Sequence, residues 1–264
     1  MNPKVSILMN CFNGEEFLQD ALESIFAQTY SNYEIIFIDN HSTDNSINIA
    51  NTFKDPRLII RSTPEHCNIG KARSFGSQFF SGKYLAFLDV DDLWVPTKLA
   101  KQVKLMEDQN LVLTYGGSQT IDENNIVLSA FSPYSSSTVS FGKLLFNYNI
   151  NQQTVMINLE EEPVQFLESK TYAPDNPLFM SIIGRNEKRC AIINEHLVDY
   201  RLHSQQMSKG LLSVRYKEGL DTLLDLKKMF PNHAKNYKLH FLLAICKKGI
   251  QTVISKIFSF FARR

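Results

Sequence analysis

Over its first ninety residues the chain alternates apolar runs with stretches of helical spacing, and that alternation leaves few folds open. The largely apolar run Val5 to Met9 ends in the turn-prone stretch Asn10 to Gly14. It is followed by EEFLQDALESIFAQ, where Phe17, Leu18, Ala21, Leu22, Ile25 and Phe26 share one helical face. A second strand, Tyr33 to Ile38, leads through the polar Asp39 to Asn45 into a helix from about Ser46 to Phe53. A third strand over about Arg57 to Ser62, a helix over Lys71 to Phe80 and a fourth strand, Tyr84 to Leu88, complete a βαβαβαβ order. Such an order predicts an α/β fold with a Rossmann-like, mostly parallel central sheet flanked by helices, whose ligands sit beyond the carboxyl ends of the strands. Asn10, Asp39 and Asp89 are the polar residues delivered to that edge.

Beyond residue 95 the pattern loosens. It predicts a helix over about Thr97 to Asp108, a strand near Leu111 to Gly116, a hairpin around Asp122 to Asn125 and a short helix from Phe141. TVMINL then reads as a strand, Leu178 to Asn186 as a helix and Ala191 to Ile193 as a strand. The serine-rich stretch Ser132 to Ser140 is a surface loop, either a linker or an acceptor-binding or lid loop. At 264 residues one α/β domain with an appended tail is expected: a domain over 1–214, in halves 1–95 and 96–214, and a helical tail over 215–264. The tail's last stretch, LLAICKKGIQTVISKIFSFFARR, is too interrupted by charge to span a bilayer. It either lies in a membrane interface or packs on the domain or a partner.

Lys plus Arg number 28 against 27 Asp plus Glu, so no net field draws the chain to nucleic acid, and an anionic ligand needs a local site. The four cysteines, Cys11, Cys67, Cys190 and Cys246, form no CxxC pair, which argues against zinc and against a disulfide scaffold. With no signal-peptide pattern at the N-terminus, a cytoplasmic location fits best, peripheral to the inner face of a membrane if the tail binds there.

The densest chemical signal is FLDVDDLWVP, in which an apolar strand ends in Asp89, Asp91 and Asp92. Three carboxylates so close are costly to bury unless a cation joins them, and Mg²⁺ or Mn²⁺ prefers such oxygen ligands. A solvated turn capping the next helix would use the same residues.

Four ordered blocks carry a resemblance. VSILMNCFNGEEFLQDALESIFAQTYSNYEIIFIDNHSTDNS, NIGKARSFGSQFFSGKYLAFLDVDDLW, YAPDNPLF and YRLHSQQMS resemble, in this order, the conserved elements of family 2 glycosyltransferases, over about residues 4 to 208. The resemblance implies a GT-A fold and an inverting, metal-dependent hexosyl transfer from a nucleotide-sugar donor, UDP-linked, to a glycan or lipid-linked acceptor in cell-envelope polysaccharide synthesis. It implies a base pocket formed by Asn10, Phe12 and Asp39, although Phe12 serves equally as a core residue. Gly70 and Arg73 then approach the donor, Asp89 reaches ribose and metal, and Asp91 ligates Mn²⁺ or Mg²⁺ directly. Asp92 falls behind them or against the sugar, Asp175 is the general base, and Arg201 and His203 fold over the diphosphate, with His203 also able to join the metal.

This sequence departs from the family at Asn10, Cys11, Asn40, His41 and Ser74, and in the block around Asp175, where Pro174, Asn176 and Phe179 replace the usual residues. Those changes leave a non-catalytic, nucleotide-sugar-binding protein as the alternative. No GxGxxG follows the first strand and no P-loop occurs, which excludes dinucleotide and P-loop enzymes.

Overall fold

The computed structural model describes residues 3–134, 136–169, 175–206, 212–229 and 238–261. Its centre is one nine-stranded sheet. The first half supplies β1 (Val5–Cys11), β2 (Tyr33–Asp39), β3 (Leu58–Ser62) and β4 (Tyr84–Phe87), and the second supplies β5 (Leu93–Trp94), β6 (Leu113–Ile121), β7 (Val127–Ser129), β8 (Met156–Asn158) and β9 (Cys190–Arg201). The order is β3-β2-β1-β4-β8-β6-β9-β5, with β7 paired to β6. The sheet is parallel from β3 through β4, as the alternation predicts, and mixed beyond.

Apolar runs make these strands because both faces are covered. In β1, Ile7 and Met9 face one core while Leu8 faces the other, and β2 divides Ile35 and Phe37 from Ile36 and Ile38 in the same way. Helix α1 (Leu18–Phe26) buries Leu18, Ala21, Leu22 and Ile25 on the first face. Each larger aliphatic chain so buried contributes about 1.5–3 kcal/mol. Helices α2 (Ser46–Thr52) and α3 (Ile69–Gly76) follow β2 and β3, and α4 (Lys98–Gln109) follows β5. On the opposite face lie α5 (Phe141–Phe146), α6 (Asp175–Asn186), α7 (Leu212–Met229) and α8 (Lys238–Phe261), from which Phe141, Phe179, Leu226 and Phe241 enter the second core.

Three of the elements that differ from expectation bear on the site. Helix α3 starts at Ile69, because Asn68 caps it by accepting Lys71 N–H at 3.0 Å, and a single 3₁₀ turn, Ser77–Phe79, ends it. Helix α6 starts at Asp175, with Pro177 tolerated in its first turn. Strand β9 runs for 12 residues instead of three, because a bulge at Asn194 and Glu195 interrupts the side-chain alternation but not the strand.

Candidate active site

The cleft opens at the carboxyl edge of β1, β2 and β4 and has a volume of about 880 Å³. Its rim is assembled from two turns clipped to one another. Asn13 adopts φ 53°, a conformation asparagine tolerates, and its side chain accepts Thr43 N–H at 2.8 Å. Gly14 N–H donates to Ser46 Oγ at 2.9 Å, Glu15 N–H to Asp44 Oδ2 at 2.9 Å, and Asn45 N–H returns to Glu15 Oε2 at 2.7 Å. The polar residues of NGEE and STDNS thus hold the β1 and β2 turns in register. Behind them Asp39 accepts His41 N–H at 3.1 Å and Ser42 N–H at 3.2 Å.

Asn40 fastens the loop after β3. Its amide donates to Cys67 O at 2.7 Å, and its oxygen accepts from Cys67 N at 2.9 Å and Thr63 Oγ1 at 3.1 Å. His66, carried on that loop, meets the Phe12 ring at 4.5 Å between centroids, and Phe12 is 50% exposed. One wall of the cleft is therefore aromatic, suited to stacking a planar base.

The opposite wall carries the acidic cluster. Ligand atoms of Asp89, Asp91 and Asp92 lie within 4.8 Å of one another. Burial first, then the Asp89 charge, raises the Asp91 carboxyl above its ordinary range, against a pull from His203. Burial, then the charges of Asp91 and Asp89, raise Asp92 well above its ordinary value, against a pull from Arg201. Asp92 Oδ1 accepts Arg201 N–H at 2.9 Å, while its buried Oδ2 has no hydrogen bond among the described residues. Mutual repulsion between the Asp89 and Asp91 carboxylates, with the His203 imidazole beside them, fits a divalent cation of the Mg²⁺ or Mn²⁺ type. His203 Nε2 lies 3.0 Å from Asp91 Oδ2.

Arg73, only 2% exposed, bridges two of the carboxylates. It hydrogen-bonds Asp175 Oδ2 and reaches Asp89 Oδ1 at 3.2 Å. Burial raises the Asp175 carboxyl above its ordinary range although Arg73 lowers it, and Asp175 Oδ1 makes no hydrogen bond among the described residues. With Arg73 on one oxygen and a raised pKa, Asp175 is a stronger base than an ordinary carboxylate and can accept a proton from a nearby hydroxyl.

Of the residues expected at the site, Asn10, Phe12, Arg73, Asp89, Asp91, Asp175 and His203 line the cleft together. Asp39, Gly70, Asp92 and Arg201 stand behind its surface. Arg201 is a correction, because its guanidinium is fully buried and already engaged. It donates to Asp91 O at 2.9 Å and Asn125 Oδ1 at 2.7 Å, and lies 4.5 Å from the Phe17 ring centroid. It braces the acidic turn from below. Gly70 is a second correction: a Cβ there would lie 2.4 Å from Leu167 O, so glycine admits the chain segment before α6, not a ligand. Ser74 likewise faces that segment, donating to Glu168 Oε1 at 2.8 Å.

The described residues of the serine-rich loop do not line the cleft. Ser136, Thr138 and Ser140 border a separate cavity of about 530 Å³ with α5 and α8. Tyr172 to Pro174, Met207, Ser208, Arg263 and Arg264 lie outside the described residues. Two cleft residues carried no sequence signal: His66, in a loop without a pattern, and Gln153, in the unremarkable NQQT.

The sequence matches the model of the Glycosyl transferase family 2 domain over residues 6–157, more than half of the chain. The chain belongs to glycosyl transferase family 2. The glycosyltransferase is 31% identical, over 77% of its length and 79% of the relative's, to an Escherichia coli protein, UDP-Glc:alpha-D-GlcNAc-diphosphoundecaprenol beta-1,3-glucosyltransferase WfaP. Its fold is that of S. aureus TarS 1-349, with a TM-score of 0.72 at 15% identity, covering 91% of this chain and 71% of that one. The same fragment has been solved in complex with UDP-GlcNAc, with a TM-score of 0.69 at 16% identity, covering 84% and 66%. Mannosyltransferase PcManGT from Pyrobaculum calidifontis, in complex with GDP-Man and Mn²⁺, gives a TM-score of 0.64 at 16% identity, covering 97% and 76%. The expected GT-A fold is thus present: a curled α/β sheet with flanking helices and a helical C-terminal segment.

Proposed function

We propose that this glycosyltransferase moves a hexose-type sugar, with inversion, from a UDP-linked donor to a lipid-linked or glycan acceptor in cell-envelope polysaccharide assembly. The observation that carries the reading is the convergence of Arg73, Asp89, Asp91, Asp175 and His203 on one cleft whose other wall is aromatic. The donors named for TarS and WfaP support UDP, and the acceptor named for WfaP supports a diphosphate-linked lipid.

On this reading residues 1–95 hold the nucleotide and 96–214 face the acceptor. Phe12 stacks the base, Asn10 offers an amide with no partner among the described residues, and Asp39 fixes the turn beneath them through the His41 and Ser42 N–H groups. Asp89, Asp91 and His203 would hold Mn²⁺ or Mg²⁺. When bound, that cation supplies charge stabilisation for the departing nucleoside diphosphate, most of it in the transition state. The acceptor oxygen forms the bond to the anomeric carbon as the carbon–oxygen bond to the diphosphate breaks. The acceptor's proton passes to Asp175, and the bonding pair leaves on the diphosphate. Arg73 aligns Asp175 and contributes positive charge beside the leaving group. Arg201 and Asp92 hold the acidic turn.

Transfer assayed over a panel of nucleotide sugars, with Mn²⁺ or Mg²⁺ and then with chelator, is expected to show a UDP-sugar preference and loss on chelation. Metal-independent turnover, or no binding of any nucleotide sugar, overturns the reading. Asp91→Asn is expected to lower kcat by on the order of 10²–10³-fold, since it removes stabilisation that grows toward the transition state.

A further inference from the structure

Strand β4 stops at Phe87, so the sheet no longer supplies a partner for the main chain of Asp89. A side chain does. Asp89 N–H donates to Gln153 Oε1 at 3.1 Å, while Gln153 Nε2 donates to Asp89 Oδ2 at 2.5 Å. One amide thus grips both the backbone and the carboxylate of a single residue. Only a carboxamide offers a donor and an acceptor at that spacing, and the Asp89 N–H fixes which way the amide points. A flipped amide would set NH₂ against N–H and a carbonyl against a carboxylate.

The grip is rigid at its own base. Gln153 is 3% exposed and sits in the single 3₁₀ turn Gln152–Thr154. Trp94 Nε1 donates to Gln153 O at 3.1 Å, Gln102 Nε2 donates to Thr154 O at 2.8 Å, and Asn151 Oδ1 accepts Gln153 N–H at 3.0 Å. Gln102 is held in turn by Lys98 Nζ at 2.7 Å. From the other side Arg73 donates to Asp89 Oδ1 at 3.2 Å. Two donors therefore occupy one lone pair on each carboxylate oxygen and leave the second pair on each available.

Resting on the metal reading above, we propose that Gln153 is the positioning residue for Asp89: it fixes the carboxylate's rotamer, and with it the lone pair that Asp89 presents to a cation shared with Asp91. Groups that orient a metal's ligands govern affinity nearly as strongly as the ligands do.

The test uses the full chain with Gln153→Leu, which removes the grip, and Gln153→Met, which keeps the length of the side chain but offers Asp89 neither the donor nor the acceptor. Mn²⁺ binding is read by the loss of the free-ion electron paramagnetic resonance signal, with and without UDP, beside thermal unfolding. The expected result is a Kd for Mn²⁺ raised about 10–100-fold in both variants, with metal-free UDP affinity unchanged. Variants that bind Mn²⁺ within twofold of the parent, whatever their Tm, would show that Gln153 is only a strut and overturn the proposal. If Gln153→Leu does not fold, the near-isosteric Gln153→Met decides the question alone. A parent protein that binds no Mn²⁺ overturns the metal reading itself, and the positioning role with it.

Discussion

Arg73 holds one positive charge between two carboxylates, with Asp175 only 4% exposed at the side chain and Asp89 34%. Replacing it by methionine leaves a buried carboxylate without its counter-charge, which costs about 3–5 kcal/mol. Asp175→Asn keeps Arg73 paired to Asp89 and should cost about 1–2 kcal/mol, the scale of one charge-assisted hydrogen bond. Urea unfolding should therefore rank Arg73→Met well below Asp175→Asn, and the reverse order would mean that the pair is not what holds α3 against α6. Lys98 gives a pH test at the same scale. Its amine is fully buried, 3.9 Å over the Trp94 ring, and burial lowers it well below the ordinary lysine value. The unfolded chain then binds the proton that the folded chain lacks, so stability rises with pH until the ordinary lysine range near pH 10 is reached. Lys98→Met should raise Tm at pH 7 and flatten the slope of Tm between pH 6 and 9, as followed by thermal melts across buffers. Single residues were legible where a motif placed them at a strand end, as with Asp89 and Asp91. Arg201 was not: a sequence shows that an arginine stands beside an acidic cluster but not that its guanidinium lies beneath the turn, bonded to main-chain oxygens.

At the scale of elements, runs buried on both faces were plain in the sequence, so β1, β2 and β4 and the helices between them could be read directly. The two-residue β5 carries no periodicity, and the bulge in β9 breaks the alternation that would have marked its length. Yet these two form the joint of the site: Leu93 pairs with Asp199 and Trp94 with Val198, and that register sets Asp91 against His203. The approach to α6 depends on a similar close fit. Leu167 and Glu168 lie on α3, with Asn68 Nδ2 donating to Glu168 O at 2.8 Å. In Gly70→Ala the added carbon meets backbone at 2.4 Å, and backbone yields less readily than a side-chain tip. Such overpacking costs about 1–3 kcal/mol, more than the up to about 1 kcal/mol that alanine gains over glycine within a helix. A net loss in denaturant unfolding is expected, together with reduced turnover if the strap fixes Asp175. Equal or greater stability would show that the strap yields freely.

Across the whole molecule, the balanced charge leaves binding to local sites, and the tail is where the remaining basic residues meet apolar surface. No described helix is long and apolar enough to cross a membrane. The first half of α8 belongs to the fold, since Phe241 and Ala244 are each 1% exposed and Phe241 meets Phe141 at 6.2 Å between ring centroids. Its other face leaves Leu242, Leu243 and Ile250 exposed, and Lys247 lies 4.6 Å from the centroid of the exposed Phe146 ring. Ending the chain after Cys246 would keep Phe241 and Ala244 in the core and remove Lys247, Lys248, Lys256, Arg263 and Arg264. Each basic residue near an anionic surface contributes about 1 kcal/mol, so partitioning onto phosphatidylglycerol vesicles at low salt should fall by at least about tenfold. Partitioning onto neutral phosphatidylcholine vesicles should change far less, because only the apolar part of the contact is lost there. Sedimentation with both kinds of vesicle separates the two contributions, and circular dichroism checks that the shortened chain stays folded. An unchanged partition coefficient on anionic vesicles would rule the tail out as an anchor, leaving a lipid-linked acceptor to be met by the cleft alone.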